Sequence, residues 1–280
     1  MMTARRPYPS DLSDARWALI EPTLTAWRQA RTARALAFGR PPEHDLRDLL
    51  DAILYVDRTG IPWRYLPHDY PPHQTVYAYF ARWQKDGVFA QLNGLLRRLV
   101  RTAEGRNPEP TACIVDSQSV KTSTNVPATT QGIDAAKKIT GRKRSIITDT
   151  IGLLLAVLVT AASVQDGTSG RQLLTQVASD HPTLRKAWAD MGYKNAVVEH
   201  GATLGIDVEI VQRDPATRGF VVQPRRWVVE RTLGWLMNHR RLVRDYEALP
   251  ARSEAMIHVA MINLMTRRLT GEATPTWRGT

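Results

Sequence analysis

Residues 145–162 read SIITDTIGLLLAVLVTAA, and this stretch decides the fold class. Two β-rich runs, 145–150 and 153–162, are separated by the dipeptide Ile151-Gly152. Such runs on either side of a glycine-containing turn predict a β-hairpin. The apolar run 151–164 is about six residues short of the roughly 20 that a membrane helix needs, so we expect no membrane span.

The segments on either side of this hairpin extend it into a sheet. Residues 112–115 are a short apolar run that predicts a buried strand ending in Asp116. The pattern after the hairpin predicts a helix over 170–179, a strand over 187–190, a helix over 196–204, a strand over 207–211, and closing helices over 224–246 and 253–269. Three strands, then helix and strand in alternation, then a terminal helix is the order of an RNase H-like α/β fold with a mixed sheet.

The first part of the chain has a different pattern, because its apolar residues recur at helical spacing. We predict an all-helical domain with helices over 11–24, 45–59, 74–85 and 88–102. The third helix follows a proline-rich turn and carries aromatic residues together with Arg82 and Lys85. This arrangement fits a helix-turn-helix reader of DNA and, equally well, a plain packing domain.

A polar segment, 103–110, separates these two parts of the chain. It contains glycine and two prolines and has the composition of a linker. We therefore divide the chain into a helical domain, residues 1–105, an α/β domain, residues 106–270, and a tail, residues 271–280, which we expect to be flexible.

Three carboxylates are candidates for metal-dependent chemistry. Asp116 and Asp190 each end a predicted strand, and the carboxyl ends of strands are where open α/β sheets bind ligands. Glu230 lies on the predicted helix 224–246 among basic residues. Three acids supply the hard oxygen ligands that Mg²⁺ prefers. A two-metal site of this kind would catalyse phosphodiester displacement without a protein base.

Each acid also has an ordinary structural explanation. Aspartate near glycine is a common turn residue, which fits Asp116 and Asp190 taken one at a time. Glu230 is four residues after Arg226, and the two could simply pair on a solvated helix face. We interpret Asp149 as a residue of the hairpin because Ile151-Gly152 follows at once.

The charge balance indicates a polyanionic partner. The 280-residue chain has 38 lysines and arginines against 27 acids, a formal net charge of +11. Basic residues concentrate beside the candidate carboxylates, where contact with a phosphate backbone would need them. The candidate DNA-contacting residues are Lys137, Lys138, Arg142, Lys143, Arg144, Arg225, Arg226, Arg231, Arg240 and Arg241, together with Arg82 and Lys85 in the helical domain.

The cysteine content and the N-terminal sequence indicate the cellular compartment in which the protein is expected. Cys113 is the single cysteine, which excludes an intramolecular disulfide and a zinc cluster built on cysteines. No apolar segment of the kind found in a secretion signal follows the first arginines. We therefore expect a cytoplasmic protein.

Motifs along the chain occur in a recognisable order. Those of the second part are IVDSQSVKT (114–122), GRKR (141–144), TDTIG (148–152), ADMGY (189–193) and RWVVERT (226–232), followed by WL (235–236) and RR (240–241). Those of the first part are LSDARW (12–17), GIPWR (60–64) and LP (66–67). Together they resemble the IS5-family insertion-sequence transposases of bacteria, DDE enzymes of the wider IS4-like group, over nearly the whole chain.

The resemblance implies an RNase H-like catalytic core in which Asp116, Asp190 and Glu230 bind Mg²⁺, with Mn²⁺ as a substitute. It implies a DNA transposase whose helical domain helps to recognise the terminal inverted repeats of its element. Endonucleolytic cleavage would free a 3′-hydroxyl that attacks target DNA, completing transposition by DNA recombination. The implied partners are double-stranded DNA and further copies of the chain, as a homodimer or larger assembly at the bacterial nucleoid.

The helix that carries the glutamate departs from the wider group at two positions. Arg226 matches the arginine of that group's Y-R-E-K signature. Gln223 stands at the tyrosine position and Met237 at the lysine position. The nearest polar replacements for the lysine are His239, Arg240 and Arg241.

Two other functions fit parts of the same pattern. One is a DNA-binding regulator without catalysis, such as a domesticated transposase. Such a binder has no reason to keep three acids beside a polyanion. The other is an RNase H-like nuclease that cleaves DNA without strand transfer. Joining of the cleaved end to target DNA would separate that nuclease from a transposase.

Overall fold

A six-stranded mixed sheet organises the second part of the chain in the computed structural model, which describes residues 5–34, 43–211 and 225–275. The strands are β1 (Ala112–Lys121), β2 (Gly132–Asp134), β3 (Ile139–Asp149), β4 (Leu154–Ala161), β5 (Lys186–Ala189) and β6 (Asp207–Ile210). The central strand β1 pairs antiparallel with β3 and parallel with β5, which pairs parallel with β6. The other edge of β3 pairs antiparallel with β2 and β4.

Helices cover both faces of this sheet. On one face lie α5 (Asp166–Asp180) and α6 (Ala196–Thr203), and on the other lie α7 (Trp227–Leu236), α8 (Arg240–Val243) and α9 (Pro250–Thr270). The alternation of side chains along a strand sends Ile114 to the α7 and α9 face and Val115 to the α5 and α6 face. The mixed sheet with helices on both faces is the RNase H-like fold that the element order predicts.

The predicted hairpin is confirmed as β3 and β4. Asp149 is fully buried at its turn, and Oδ1 accepts hydrogen bonds from the backbone N–H groups of Ile151 and Leu153, at 3.0 and 2.9 Å. Gly152 has φ of +87°, a conformation that favours glycine. The interpretation of Asp149 as a hairpin residue is therefore confirmed.

Strand β1 is longer than predicted, so Asp116 lies within the strand and not at its end. The polar residues that follow Asp116 continue the pairing, with Gln118 opposite Arg144 and Ser119 opposite Lys143. Arg142, Lys143 and Arg144, three of the candidate DNA-contacting residues, lie within β3. Each of these three cations bonds to a backbone carbonyl inside the protein, and this allows the polar stretch to form a buried strand.

The helix predicted over 224–246 is interrupted. Its start at Pro224 lies outside the described residues, α7 ends at Leu236, and α8 begins at Arg240. Between them, His239 adopts an extended conformation, and its Nδ1 lies 2.5 Å from Oδ2 of the buried Asp57. This buried contact fixes His239 outside a helix and separates α7 from α8.

The helices of the first part are α1 (Asp14–Arg34), α2 (Leu46–Thr59), α3 (His73–Lys85) and α4 (Val88–Ala103). They share one apolar core with α9. The guanidinium of Arg16 on α1 is fully buried and donates to Asn263 Oδ1 at 2.5 Å and to Thr266 Oγ1 at 3.2 Å, both on α9. The apolar core is thus continuous between the first part and the end of the chain.

The link between α2 and α3 differs from that of a helix-turn-helix. It runs from Gly60 to Pro72 and contains a 3₁₀ turn, whereas the helix-turn-helix uses about three to four residues. Four prolines in this link keep it extended or turned. Trp83 of α3 is fully buried, whereas Arg82 and Lys85 are exposed. The link is therefore too long for a compact helix-turn-helix, one of the two alternatives for this part of the chain.

Two observations concern the chain ends and the membrane. The predicted tail begins where α9 ends. Its residue Glu272 accepts a hydrogen bond from the Ser13 hydroxyl, and Glu272 Oε2 lies 3.5 Å from Arg267 Nη1. Residues 276–280 of that tail lie outside the described residues. Within the described ranges, every helix is too short or too polar to cross a bilayer.

Candidate active site

The three candidate carboxylates converge on one nitrogen atom. Arg226 Nη2 lies 3.5 Å from Asp116 Oδ2, 3.6 Å from Glu230 Oε1 and 3.8 Å from Asp190 Oδ2. These acids come from β1, from the residue after β5 and from α7, which are far apart in the chain. The sequence-predicted acids are therefore brought together around a single guanidinium group.

The register of the sheet brings the two aspartates to the same place. Strand β5 is parallel to β1, with Trp188 opposite Ile114. Asp190 and Asp116 each follow two residues later, so the two aspartates lie side by side. Asp116 Oδ1 accepts the backbone N–H of Ser117 at 2.7 Å, and Asp190 Oδ1 accepts that of Gly192 at 2.8 Å. One oxygen of each carboxylate is thus fixed by the backbone, while the other faces Arg226.

The β3–β4 turn positions the helix that carries Glu230. Thr232 of α7 is fully buried, and its Oγ1 donates to the carbonyl oxygen of Gly152 at 2.8 Å. Arg231 Nη2 donates to the carbonyl oxygen of Ile151 at 3.0 Å. A Cβ atom added to Gly152 would lie 2.7 Å from Thr232 Oγ1, so glycine is required for this close approach. The hairpin that decides the fold therefore also places Glu230.

The site is negative and partly desolvated. The pKa of Asp116 is raised to about 6: burial is the main cause, the nearby Asp190 adds to it, and the Ser117 amide, Arg226 and Lys137 act in the opposite direction. Burial, followed by the charges of Asp116 and other carboxylates, also raises the pKa of Tyr193. Additional positive charge at this position would be electrostatically favourable.

The donor chemistry fits a divalent metal ion. Carboxylate oxygens are the ligands that Mg²⁺ prefers, and water and substrate phosphates complete its shell. Among the described residues, no three acidic, histidine or cysteine side chains are grouped closely enough to hold an ion as they stand. The carboxylates instead surround Arg226 Nη2, so a cation already lies where their charges converge.

A fourth acid, Asp166, borders the site and was not singled out by the sequence pattern. It begins α5, where its Oδ1 accepts the Ser117 hydroxyl at 2.9 Å and lies 3.1 Å from Lys143 Nζ. A Cβ added to Gly192 would lie 3.2 Å from Asp166 Oδ2 and 3.0 Å from Asp190 Oδ1. An acid in the first turn of the helix after the hairpin is a signal that could have found it.

The predicted DNA-contacting residues fall into three groups. The exposed ones are Arg82, Lys85, Lys137, Lys138, Arg225 and Arg240. Two are half-buried: Arg226 lies at the candidate site, and Arg231 contacts the β3–β4 turn. The remaining four, Arg142, Lys143, Arg144 and Arg241, are buried.

The buried group corrects the sequence-based prediction. Arg142 donates to the carbonyl of Glu247 at 2.6 Å and lies 3.3 Å from Asp245 Oδ2, and Arg144 donates to the carbonyl of Leu242 at 2.5 Å. Arg241 Nη2 lies 2.7 Å from a carboxylate oxygen of Glu247. Lys143 is similarly occupied by Asp166 and by the carbonyl of Val164. These four cations stabilise the interior and are unavailable to DNA in this conformation.

The structure describes one of the two residues that depart from the Y-R-E-K signature. Gln223 lies outside the described residues, and Met237 packs against the apolar core. Of the three polar replacements for the lysine, His239 and Arg241 are buried against Asp57 and Glu247. Arg240 is the exposed member of the three.

Comparison with known proteins gives a consistent result over both parts of the chain. Residues 12–93 match the family model described as "Putative transposase of IS4/5 family", and residues 107–265 match the one described as "Transposase DDE domain". The chain is 34% identical over 134 residues to the "Putative transposase for insertion sequence element IS402" of Burkholderia cepacia. That match covers 44% of this chain and 60% of the relative.

Proposed function

The chain belongs to the DDE transposases of insertion sequences, and we propose that it cleaves DNA at the terminal inverted repeats of its element and joins the freed end to target DNA. The observation that carries this proposal is the convergence of Asp116, Asp190 and Glu230 on Arg226 Nη2. Neither a plain turn aspartate nor a solvated helix face explains why three acids distant in sequence share one cation.

DDE transposase domains depend on divalent metal ions, and we propose Mg²⁺, with Mn²⁺ as a substitute. Asp116, Asp190 and Glu230 would hold the ions, which when bound activate the attacking oxygen and stabilise the leaving oxygen. The backbone hydrogen bonds to Asp116 and Asp190 keep one oxygen of each carboxylate fixed. The docking of α7 on the hairpin fixes Glu230 relative to them.

The proposed reaction has two in-line steps. Water attacks the phosphorus at the end of the element, and the 3′-oxygen of the cleaved strand leaves as a hydroxyl. That 3′-hydroxyl then attacks a phosphodiester of target DNA and displaces the 3′-oxygen of the target strand, with protons passing to solvent. Lys137 is exposed, its Nζ donates to the carbonyl of Ser117 at 3.3 Å, and its charge acts on Asp116, so DNA would be held through this cation.

DNA binding would extend over both parts of the chain. We propose that residues 1–105 recognise the DNA end, with Arg82 and Lys85 contacting phosphates, and that residues 106–270 catalyse the reaction. Holding two DNA ends together would require a homodimer or a larger assembly. A chromosomal substrate would place the protein at the bacterial nucleoid.

The test is strand cleavage by the purified full chain on labelled DNA that carries the inverted repeat flanking its gene, with Mg²⁺ or Mn²⁺. Asp116→Asn keeps the acceptor for the Ser117 amide but removes the charge, and we expect it to abolish cleavage while leaving DNA binding largely intact. Asp207→Asn is a matched control on the exposed end of β6 and should cleave at the wild-type rate.

The products of this assay distinguish the proposal from its alternatives. Cleavage by Asp116→Asn at the wild-type rate would show that the proposed chemistry is wrong. Binding without cleavage by the wild-type chain would indicate a DNA-binding regulator. Cleavage without any joined product would indicate a nuclease.

A further inference from the structure

Among the described residues, Arg226 is held between the three carboxylates by charge, without short hydrogen bonds. Its three nitrogen–oxygen separations, 3.5 to 3.8 Å, are longer than the roughly 2.7–2.9 Å of a charge-assisted hydrogen bond. Its Nε atom is buried and has no hydrogen-bond partner among the described residues. The guanidinium thus balances the negative charge but is not bound in a directional way.

Two other arginines, Arg101 and Arg142, are buried and held differently. Arg101 Nη1 lies 2.7 Å from Asp149 Oδ2, and Arg142 makes hydrogen bonds of 2.6, 2.7 and 2.9 Å to Glu247, Thr130 and Ala248. These arginines have short, directional contacts of the kind that fix a side chain in one position. The contrast indicates that another cation could take the place of the Arg226 guanidinium among the carboxylates.

The position of Arg226 in the fold also allows it to leave. It precedes the first residue of α7, and 19% of its side chain is exposed, whereas Arg142 is fully buried. A divalent ion bound by the same three carboxylates would lie close to the guanidinium, and two cations at such a distance repel each other strongly. Both cannot occupy the centre of the carboxylate cluster at once.

We propose that Arg226 is a built-in counter-cation that holds the carboxylates together without metal and is displaced when divalent ions bind. This inference rests on the proposed metal-dependent function. In the absence of ions, Arg226 offsets the mutual repulsion of Asp116, Asp190 and Glu230. When ions bind, the guanidinium must move away, so its displacement weakens the apparent metal affinity of the free protein.

The experiment measures Mn²⁺ binding by the full chain without DNA, using electron paramagnetic resonance to count free ions. Arg226→Gln removes the counter-cation, and Arg225→Gln removes a neighbouring exposed cation that pairs with Glu209 at 2.8 Å. We expect Arg226→Gln to bind Mn²⁺ at least about tenfold more tightly than the wild type. Arg225→Gln should bind as the wild type does. The double variant Asp116→Asn and Arg226→Gln should not show the tighter Mn²⁺ binding of Arg226→Gln. This result would assign the bound ion to the carboxylate site.

Thermal unfolding gives an independent readout. In chelator, Arg226→Gln should unfold at a lower temperature than the wild type because the carboxylates repel each other. Mn²⁺ should raise the unfolding temperature of Arg226→Gln by more than it raises that of the wild type. Arg226→Lys keeps a cation but replaces the planar guanidinium with a single ammonium. Its Mn²⁺ affinity should therefore fall between those of the wild type and Arg226→Gln, and this variant tests the inference even if Arg226→Gln does not fold.

The outcomes separate this inference from the proposed function. Equal or weaker Mn²⁺ binding by Arg226→Gln, in a chain whose wild type binds Mn²⁺, would overturn the displacement and leave the metal-dependent function in place. Weaker binding by Arg226→Lys than by the wild type would overturn it as well. Failure of both the wild type and Arg226→Gln to bind Mn²⁺ would overturn the displacement and the metal site together.

Discussion

Arg101 on α4 and Asp149 at the end of β3 form a buried ion pair, with Nη1 2.7 Å from Oδ2. The same carboxylate organises the β3–β4 turn on which α7 rests. The pair therefore links the helices of the first part of the chain to the element that places Glu230.

We expect Asp149→Asn to lower the free energy of unfolding by about 3–5 kcal/mol, because it leaves the Arg101 guanidinium buried without a counter-charge. Urea denaturation measures the change. Arg98→Ala is the control, since Arg98 is exposed and 3.6 Å from Glu109, and its effect should stay within about 1 kcal/mol. A loss at Asp149→Asn no larger than at the control would contradict the assigned role of the pair.

Asp166 should support the proposed site without being one of the three central acids. Asp166→Asn removes the charge beside Lys143 and weakens the contact that positions Ser117. We expect cleavage and Mn²⁺ affinity to fall by about 10- to 100-fold, the range typical of groups that orient metal ligands. Asp180→Asn, at the exposed end of the same helix, should leave both unchanged. Unchanged cleavage in Asp166→Asn would exclude this role.

Exposed and buried cations should differ in their effect on DNA binding. Lys138 is exposed, so Lys138→Ala should lower the slope of log affinity against log salt by about 1 if it contacts a phosphate. Arg144→Met should leave this slope unchanged while lowering stability, because Arg144 is fully buried and bonded to the Leu242 carbonyl. Fluorescence anisotropy at several salt concentrations tests both. The reverse pattern would restore Arg144 as a DNA contact.

Acid should destabilise the protein partly through His258. Burial lowers the pKa of His258 to about 4, whereas an unfolded histidine titrates near about 6.5. As the pH falls from about 6.5 to 4, the unfolded chain takes up a proton that the folded chain does not, so stability decreases over that range.

The variant His258→Gln should lose this part of the pH dependence. Its free energy of unfolding should fall less between pH values of about 7 and 5 than that of the wild type. Glu254, whose pKa is raised by burial, is present in both proteins, so its contribution cancels in the comparison. Identical pH dependence of the two proteins would show that folding does not lower the pKa of His258.

The hairpin and the helix–strand alternation could be predicted from local pattern because period and turn chemistry are local properties. The extent of β1 could not, because the polar residues after Asp116 resemble the end of a strand. They stay in the strand because partners from β3 lie opposite them. The convergence of Asp116, Asp190 and Glu230 could be anticipated from their places in the element order and from resemblance, but its centre on Arg226 could not.

The basic residues show the same limit. A run such as Gly141–Arg144 resembles a solvated loop, yet Arg142 meets Asp245, 103 residues later in the chain. The break after α7 likewise depends on the contact between His239 and Asp57, which no local pattern reveals. Contacts between residues so distant in sequence decide whether an arginine faces the surface or the interior.

The continuous core that joins the first helices to α9 affects how the protein folds during its synthesis. Arg16 reaches Asn263 across 247 residues, so α1 is synthesised long before its partner leaves the ribosome. Nascent chains fold domain by domain from the N-terminus only where a complete core is available. The early helices of this protein must therefore wait with apolar surface uncovered. A chain released before α9 is made would leave this core incomplete and would be a target for chaperones or proteolysis.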